Sequence, residues 1–240
     1  MSLLHEHKRI IVKIGSNVIA SRGAGLDEAR LGSIAQEISD LIKPSTAPSR
    51  GSIAPELILV SSGAILCGID KLGWSHKGKT LPMKQAAASV GQSHLMWAYE
   101  RLFSRHNISV AQILLTREDI ADRRRFLNAR NTLMTLLANK VLPIINENDT
   151  VSTAEIKFGD NDALAGQVAL LVDASLLIIL SDVDGLFTHD PRRDKRHNSF
   201  LLSMRSQKRL SRWQPIEAPW AEQGGWLQSW LLQNQLPGWA

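Results

Sequence analysis

RIIVKIG, residues 9–15, sets four aliphatic residues around one lysine and stops at a glycine. Apolar character without polar alternation is what a strand buried on both faces requires. Similar runs recur as ELILVSSG (56–63), ISVAQILLT (108–116), VLPIINEN (141–148) and SLLIILSDV (175–183). Helical patterns separate them. DEARLGSIAQEISDLI (27–42) places Leu31, Ile34, Ile38 and Leu41 on one helical face. Residues 84–105 and 124–138 also fit helices, the second with Phe126, Leu127, Leu133, Leu136 and Leu137 facing inward. Strands and helices alternating in this way predict an α/β fold whose mainly parallel sheet is covered on both faces.

At 240 residues and 44% hydrophobic content, the chain suffices for one sizeable α/β domain or two small ones. The net charge of +5 is not spread evenly. Residues 191–240 hold eight Lys/Arg against three Asp/Glu, whereas residues 1–190 balance at twenty against twenty. A neutral body with a basic tail argues against a nucleic-acid groove, which needs clustered cations on a folded face. The single cysteine, Cys67 within AILCGI, excludes an internal disulfide and reads as a buried hydrophobe in a reducing compartment. No HxxxH or CxxC spacing marks a protein metal site. The first residues lack a signal-peptide core, and VALLVDASLLIIL is too short to span a bilayer. These features predict a cytoplasmic protein that binds neither membrane nor nucleic acid. PSTAPSRGSIAP (44–55) reads as a surface insertion.

Ligands of parallel sheets bind beyond the carboxyl ends of the strands. The exits here are VKIGSN with Lys13, Gly15 and Ser16, LVSSGA with Ser61, Ser62 and Gly63, and LSDVDG with Ser181, Asp182, Asp184 and Gly185. Glycine lets a phosphate approach the backbone, and helix N-termini supply unpaired N–H groups. GWSHKGKT (73–80) matches the phosphate-loop pattern GxxxxGK[ST] letter for letter. That pattern works only between a buried strand and a helix. The preceding AILCGIDKLG reads as a helix and Pro82 follows at once, so a surface loop is expected.

Taken together, VKIGSNV, LVSSGAI, AASVGQSHL, LLTREDIADRRRFLNAR, PIINENDTVSTAEIKFGDNDALA and LSDVDGLFTHDPR resemble the amino-acid kinase family. RRRFLNAR, INENDTV and FGDND point to its glutamate-phosphorylating branch, and away from those acting on carbamate, aspartate or acetylglutamate. The resemblance implies a three-layer αβα sandwich. It also implies ATP- and Mg²⁺-dependent phosphorylation of the γ-carboxylate of L-glutamate, the first step towards proline, by a homo-oligomer. By the same resemblance Ser62, Asp149 and Asn161 bind glutamate, Asp162 orients the catalytic lysines, and Ser181 and Asp182 contact nucleotide. Asn146 and Asn148 are neighbours that hold the loop. Independently, an acceptor carboxylate is already ionised at neutral pH and needs no strong base. What the site must supply is cations, N–H dipoles and positioning. Lys13 is the expected cation at the phosphate, with backbone donors from Gly15 and Ser16. Simple capping of a helix over 162–172 is the competing role for Asp160 and Asp162. Arg117, Arg123, Arg124, Arg125 and Arg130 read as a solvated face or a subunit contact.

The likeness ends after DPRRD, so residues 1–194 read as the kinase domain, incomplete at its nucleotide end, and 195–240 as a basic, tryptophan-rich tail. Five of the seven tryptophans lie in 213–240. Family members continue through a GTGGMxTK loop with a second phosphate-binding lysine, where this chain reads EQGGWLQSW. With one choice of codons for GWLQSW (GGA TGG TTA CAA AGT TGG), a one-base frame shift would restore Met-Val-Thr-Lys, with lysine at the place of Ser229. The tail is therefore expected to be a frame-slipped or divergent segment that impairs activity, or that leaves an inactive glutamate-binding remnant.

Overall fold

The computed structural model describes Leu4, residues 7–20, 25–43, 54–74, 80–152 and 160–181, and the backbone of 186–187 and 199–200. The apolar runs form β1 (Arg9–Ile14), β2 (Glu56–Ser61), β3 (Val110–Leu115), β4 (Leu142–Glu147) and β5 (Leu176–Leu180). All five join one parallel sheet in the order β3-β4-β2-β1-β5. β1 lies inside it and every one of its residues is buried, the reason its sequence does not alternate. Leu186–Phe187 and Ser199–Phe200 pair as a short antiparallel ladder, which the sequence did not suggest.

Between the strands run α1 (Ser16–Ile19), α2 (Glu28–Ile42), α3 (Ala64–Lys71), α4 (Leu81–Ser104), α5 (Arg117–Ala121), α6 (Arg123–Ala138) and α7 (Asp160–Leu171). Because side chains alternate along a strand, β1 serves two cores. Ile10, Val12 and Ile14 pack with Leu31, Ala35 and Ile38 of α2 and with Leu95, Tyr99 and Phe103 of α4. Ile11 packs with Leu133 and Leu137 of α6 and with Leu164, Ala165 and Val168 of α7. Helices thus cover both faces, and the three-layer αβα sandwich expected from the resemblance is present. Leu127 departs from its expected place: it is 44% exposed, beside the buried stripe through Leu133 and Leu137.

α3 and α4 cross at two glycines. A Cβ on Gly91 would lie 1.8 Å from the Ala64 carbonyl oxygen, and one on Gly68 would lie 1.8 Å from that of Ala87. Gly91→Ala must therefore force the helices apart, an overpacking cost of about 1–3 kcal/mol. The expected outcome is a lower melting temperature in a thermal scan.

The segment before GWSHKGKT is the helix α3, and α4 opens at Leu81 with a proline in its first turn. The strand that a phosphate loop needs is not there. Residues 44–53, 75–79, 182–185 and 201–240 lie outside the described residues, and with them Asp182, Asp184, Gly185, most of the expected insertion and nearly all of the expected tail.

The connections locate a crevice. β2 leads into α3 and α4 on one face, while its neighbour β4 is followed by α7 on the other. Adjacent strands whose chains leave in opposite directions open a cleft at their carboxyl ends. Ser61 ends β2 and Glu147 ends β4 at this cleft.

Candidate active site

Lys13 is one residue short of the end of β1 and shares the α7 face with Ile11. A buried ammonium needs a countercharge. It has one: Lys13 Nζ lies 2.5 Å from Asp162 Oδ1, with the two side chains only 4% and 3% exposed. Among the described residues no other donor reaches that oxygen. Asp162 is therefore more than a helix cap. It sits in the first turn of α7, which starts at Asp160, two residues before the expected boundary.

The far end of α7 is also anchored. Arg9, four residues before Lys13 on the same strand face, donates to the Val172 carbonyl and to Glu56 Oε2. Arg130 donates to the Leu171 carbonyl at 2.9 Å and to Asp173 at 2.7 Å. Arg130 keeps 38% of its side chain exposed and is tied to the helix end as well, because the orphan carbonyls of a helix C-terminus attract cations. Arg125 pairs with Asp119 at 3.0 Å. Charge pairing at both ends fixes α7, and with it Asn161 and Asp162, against the sheet.

Gly15 differs from expectation in one respect. Its N–H donates to the Leu180 carbonyl at 3.1 Å, so it is engaged in joining the β1 and β5 exits. Its missing side chain is what matters. A Cβ there would lie 3.5 Å from Lys13 Nζ and 3.3 Å from the Leu180 oxygen, filling the space beside the ammonium. Ser16 opens α1 next to it, and Ser181 follows β5 directly.

Asn161 meets the β2 exit. Its Nδ2 donates to Ser62 Oγ at 2.8 Å, to the Ser61 carbonyl at 3.1 Å and to Asn146 Oδ1 at 3.0 Å. Its own Oδ1 is buried without a hydrogen-bond partner among the described residues. Such an acceptor costs free energy until a donor arrives. Asp149 lies in the turn after β4, in a small recess lined also by Ala64, Gln92, Leu114, Glu147 and Asn148. Burial, reinforced by the neighbouring Glu147, pushes its carboxyl up to about 6. Thr150 Oγ1 donates to Asn148 Oδ1, and Gln85 of α4 holds the Ser152 carbonyl, so the turn is tied down.

The structure thus brings together Lys13 with Asp162, Gly15 with the β5 exit, and Ser62 with Asn161, and it puts Asp149 in the recess after β4. Gln92 is the residue whose part the sequence did not reveal. AASVGQSHL was legible as a motif, yet nothing in it says that this glutamine is 8% exposed and bonded to Asn146. A larger cavity of about 590 Å³ between α2 and α4 is lined by Gly32, Ser33, Gln36, Leu102 and His106 and holds none of these groups.

Comparison with known proteins agrees with this geometry. Residues 8–205 match the amino acid kinase family. The chain is 55% identical over 192 residues to a glutamate 5-kinase of Laribacter hongkongensis, covering 80% of this chain and 49% of the relative. It is 56% identical over 187 residues to one of Azoarcus sp., covering 78% and 48% respectively. The chain spans about half the length of the curated relatives it matches. The fold is similar to that of the crystal structure of UMP kinase from Ureaplasma parvum, with a TM-score of 0.53 and 13% identity over 80% of this chain and 74% of the other. An isopentenyl phosphate kinase substrate complex gives 0.51 and 15% over 79% and 76%.

Proposed function

The chain belongs to the amino acid kinase family, and from that membership we propose that it transfers the γ-phosphoryl group of ATP to the γ-carboxylate of L-glutamate. One carboxylate oxygen bonds to phosphorus, the bond from phosphorus to the β,γ-bridging oxygen breaks, and L-glutamyl 5-phosphate and ADP result. The observation that carries this reading is the buried Lys13–Asp162 ion pair beside the Asn161–Ser62 contact. It supports a phosphate-side cation and an amino-acid cradle on one rim.

Lys13 holds positive charge where the phosphoryl group crosses, and Asp162 fixes that ammonium. The absence of a side chain at Gly15 keeps the space beside Lys13 Nζ open for a phosphate to approach. Ser16 and Ser181 border the same exits, and Asp182 completes the proposed nucleotide contacts. Mg²⁺ bound with the nucleotide would neutralise further phosphate charge. Asp149 and the Asn161 oxygen accept from the glutamate ammonium, and Ser62 lies beside Asn161 to fix the amino-acid end. With an ionised carboxylate as nucleophile, these residues catalyse by position and charge.

Hydroxylamine converts an acyl phosphate to a hydroxamate, so incubation with ATP, Mg²⁺, glutamate and hydroxylamine should yield glutamyl hydroxamate. Its absence, with glutamate binding intact, would leave only a glutamate-binding protein.

The raised carboxyl of Asp149 gives a pH dependence. Only the ionised form pairs with an ammonium, and that form is lost as pH falls through about 6. Glutamate affinity should be level above pH 7 and weaken about tenfold per unit below 6, as expected for one titrating group. Calorimetric titration between pH 5 and 8 measures this, and Asp149→Asn should abolish the dependence.

A further inference from the structure

Gln92 lies in α4 with Ala88, Gly91 and Leu95 as buried neighbours on the same helix. An amide buried in such surroundings is tolerated only when its polar atoms are paired. Both ends of Gln92 are: Oε1 accepts from Asn146 Nδ2 at 2.9 Å, and Nε2 donates to Gln112 Oε1 at 3.1 Å. Asn146 Oδ1 in turn accepts the backbone N–H of Glu147 at 2.9 Å. A backbone N–H can only donate, so the Asn146 NH₂ has to point at Gln92. Asn146 Oδ1 and the Ser61 carbonyl, which can only accept, both receive Asn161 Nδ2. The Asn161 amide therefore has one permitted orientation. Its NH₂ is consumed within the protein, and its oxygen is left buried with no partner among the described residues.

We infer that Gln92 is a positioning residue that sets ligand specificity: by holding Asn146 it locks the Asn161 amide with its oxygen presented to the ligand, which selects an amino acid bearing an ammonium over the same diacid without one. The inference rests on the proposed assignment of Asn161 to the glutamate site. A site with a fixed, unpartnered acceptor rejects a ligand that lacks the donor, because binding then seals in an unpaired polar group. Removing Gln92 leaves the Asn146 NH₂ without its acceptor. Asn146 then shifts to find another, and the Asn161 amide loses one of the groups that fix it. The loosened oxygen no longer discriminates as strongly.

The test is the ratio of dissociation constants for glutarate and L-glutamate, measured by calorimetry on the full chain. Glutarate has both carboxylates and lacks the amino group. Gln92→Met should lower that ratio by about fivefold, the worth of one hydrogen bond, chiefly through weaker glutamate binding. A merely structural role would weaken both ligands alike. Gln92→Glu can still accept from Asn146 Nδ2, and its carboxylate penalises both diacids equally, so its ratio should stay at or above the native value. An unchanged ratio in Gln92→Met overturns the inference, as does a lowered ratio in Gln92→Glu, which also decides the matter should the methionine variant not fold. Native chain that binds glutamate with either of those results removes this inference alone. Native chain that binds no glutamate removes the proposed function with it.

Discussion

Lys13→Met is expected to lower the rate of phosphoryl transfer by roughly 10³-fold, the scale set by loss of a cation facing a transferring phosphoryl group. The same change should also destabilise the fold. It strands Asp162, 3% exposed, without the ammonium 2.5 Å away. Breaking one half of a buried ion pair typically costs about 3–5 kcal/mol. The two effects separate in a double variant. Lys13→Met with Asp162→Asn removes the uncompensated charge and should recover most of the lost melting temperature without restoring turnover. Recovery of turnover by the double variant would mean that Lys13 acts only on stability.

Asp149→Asn should weaken glutamate binding by about 10- to 100-fold, the worth of a charge-assisted hydrogen bond to a buried partner. Its effect on stability should run the other way. The folded carboxyl titrates near 6, above its ordinary 3.8. Between those values the folded chain binds more protons than the unfolded chain, so stability falls as pH rises through that window and is lowest above it. Neutral asparagine removes that penalty. A gain of about 1–2 kcal/mol at pH 7 follows from the size of the shift, discounted for partial exposure. A thermal scan should then show a rise of about 2–4 °C. The advantage should disappear below pH 4. A variant that loses both affinity and stability would assign Asp149 to the architecture of the turn rather than to the ligand.

The strands were readable because burial on both faces removes alternation, and β1, β2 and β4 show this directly. Lys13 was readable because it stands at a strand exit ahead of a glycine, where ligands of parallel sheets bind and a phosphate needs a cation. Its partner was not readable from spacing. Asp162 is far along the chain, and only the likeness of FGDND to a known family pointed to it. Strand order was beyond the sequence as well, so the cleft between β2 and β4 could not be foreseen. Gly15 shows a subtler limit. Glycine at a strand exit suggested a free N–H, but the parallel neighbour β5 claims that donor. The orientation of the Asn161 amide depends on four acceptors and donors from two separate strands and the turn after one of them, a relation that no local pattern encodes.

The most direct measurement is a crystal structure of the full chain with L-glutamate and a non-hydrolysable ATP analogue. The ammonium should lie on Asp149 and the Asn161 oxygen, with the γ-carboxylate pointing towards Lys13 and the terminal phosphate. Glutamate bound away from the β2–β4 cleft, or a terminal phosphate remote from Lys13, would contradict the account.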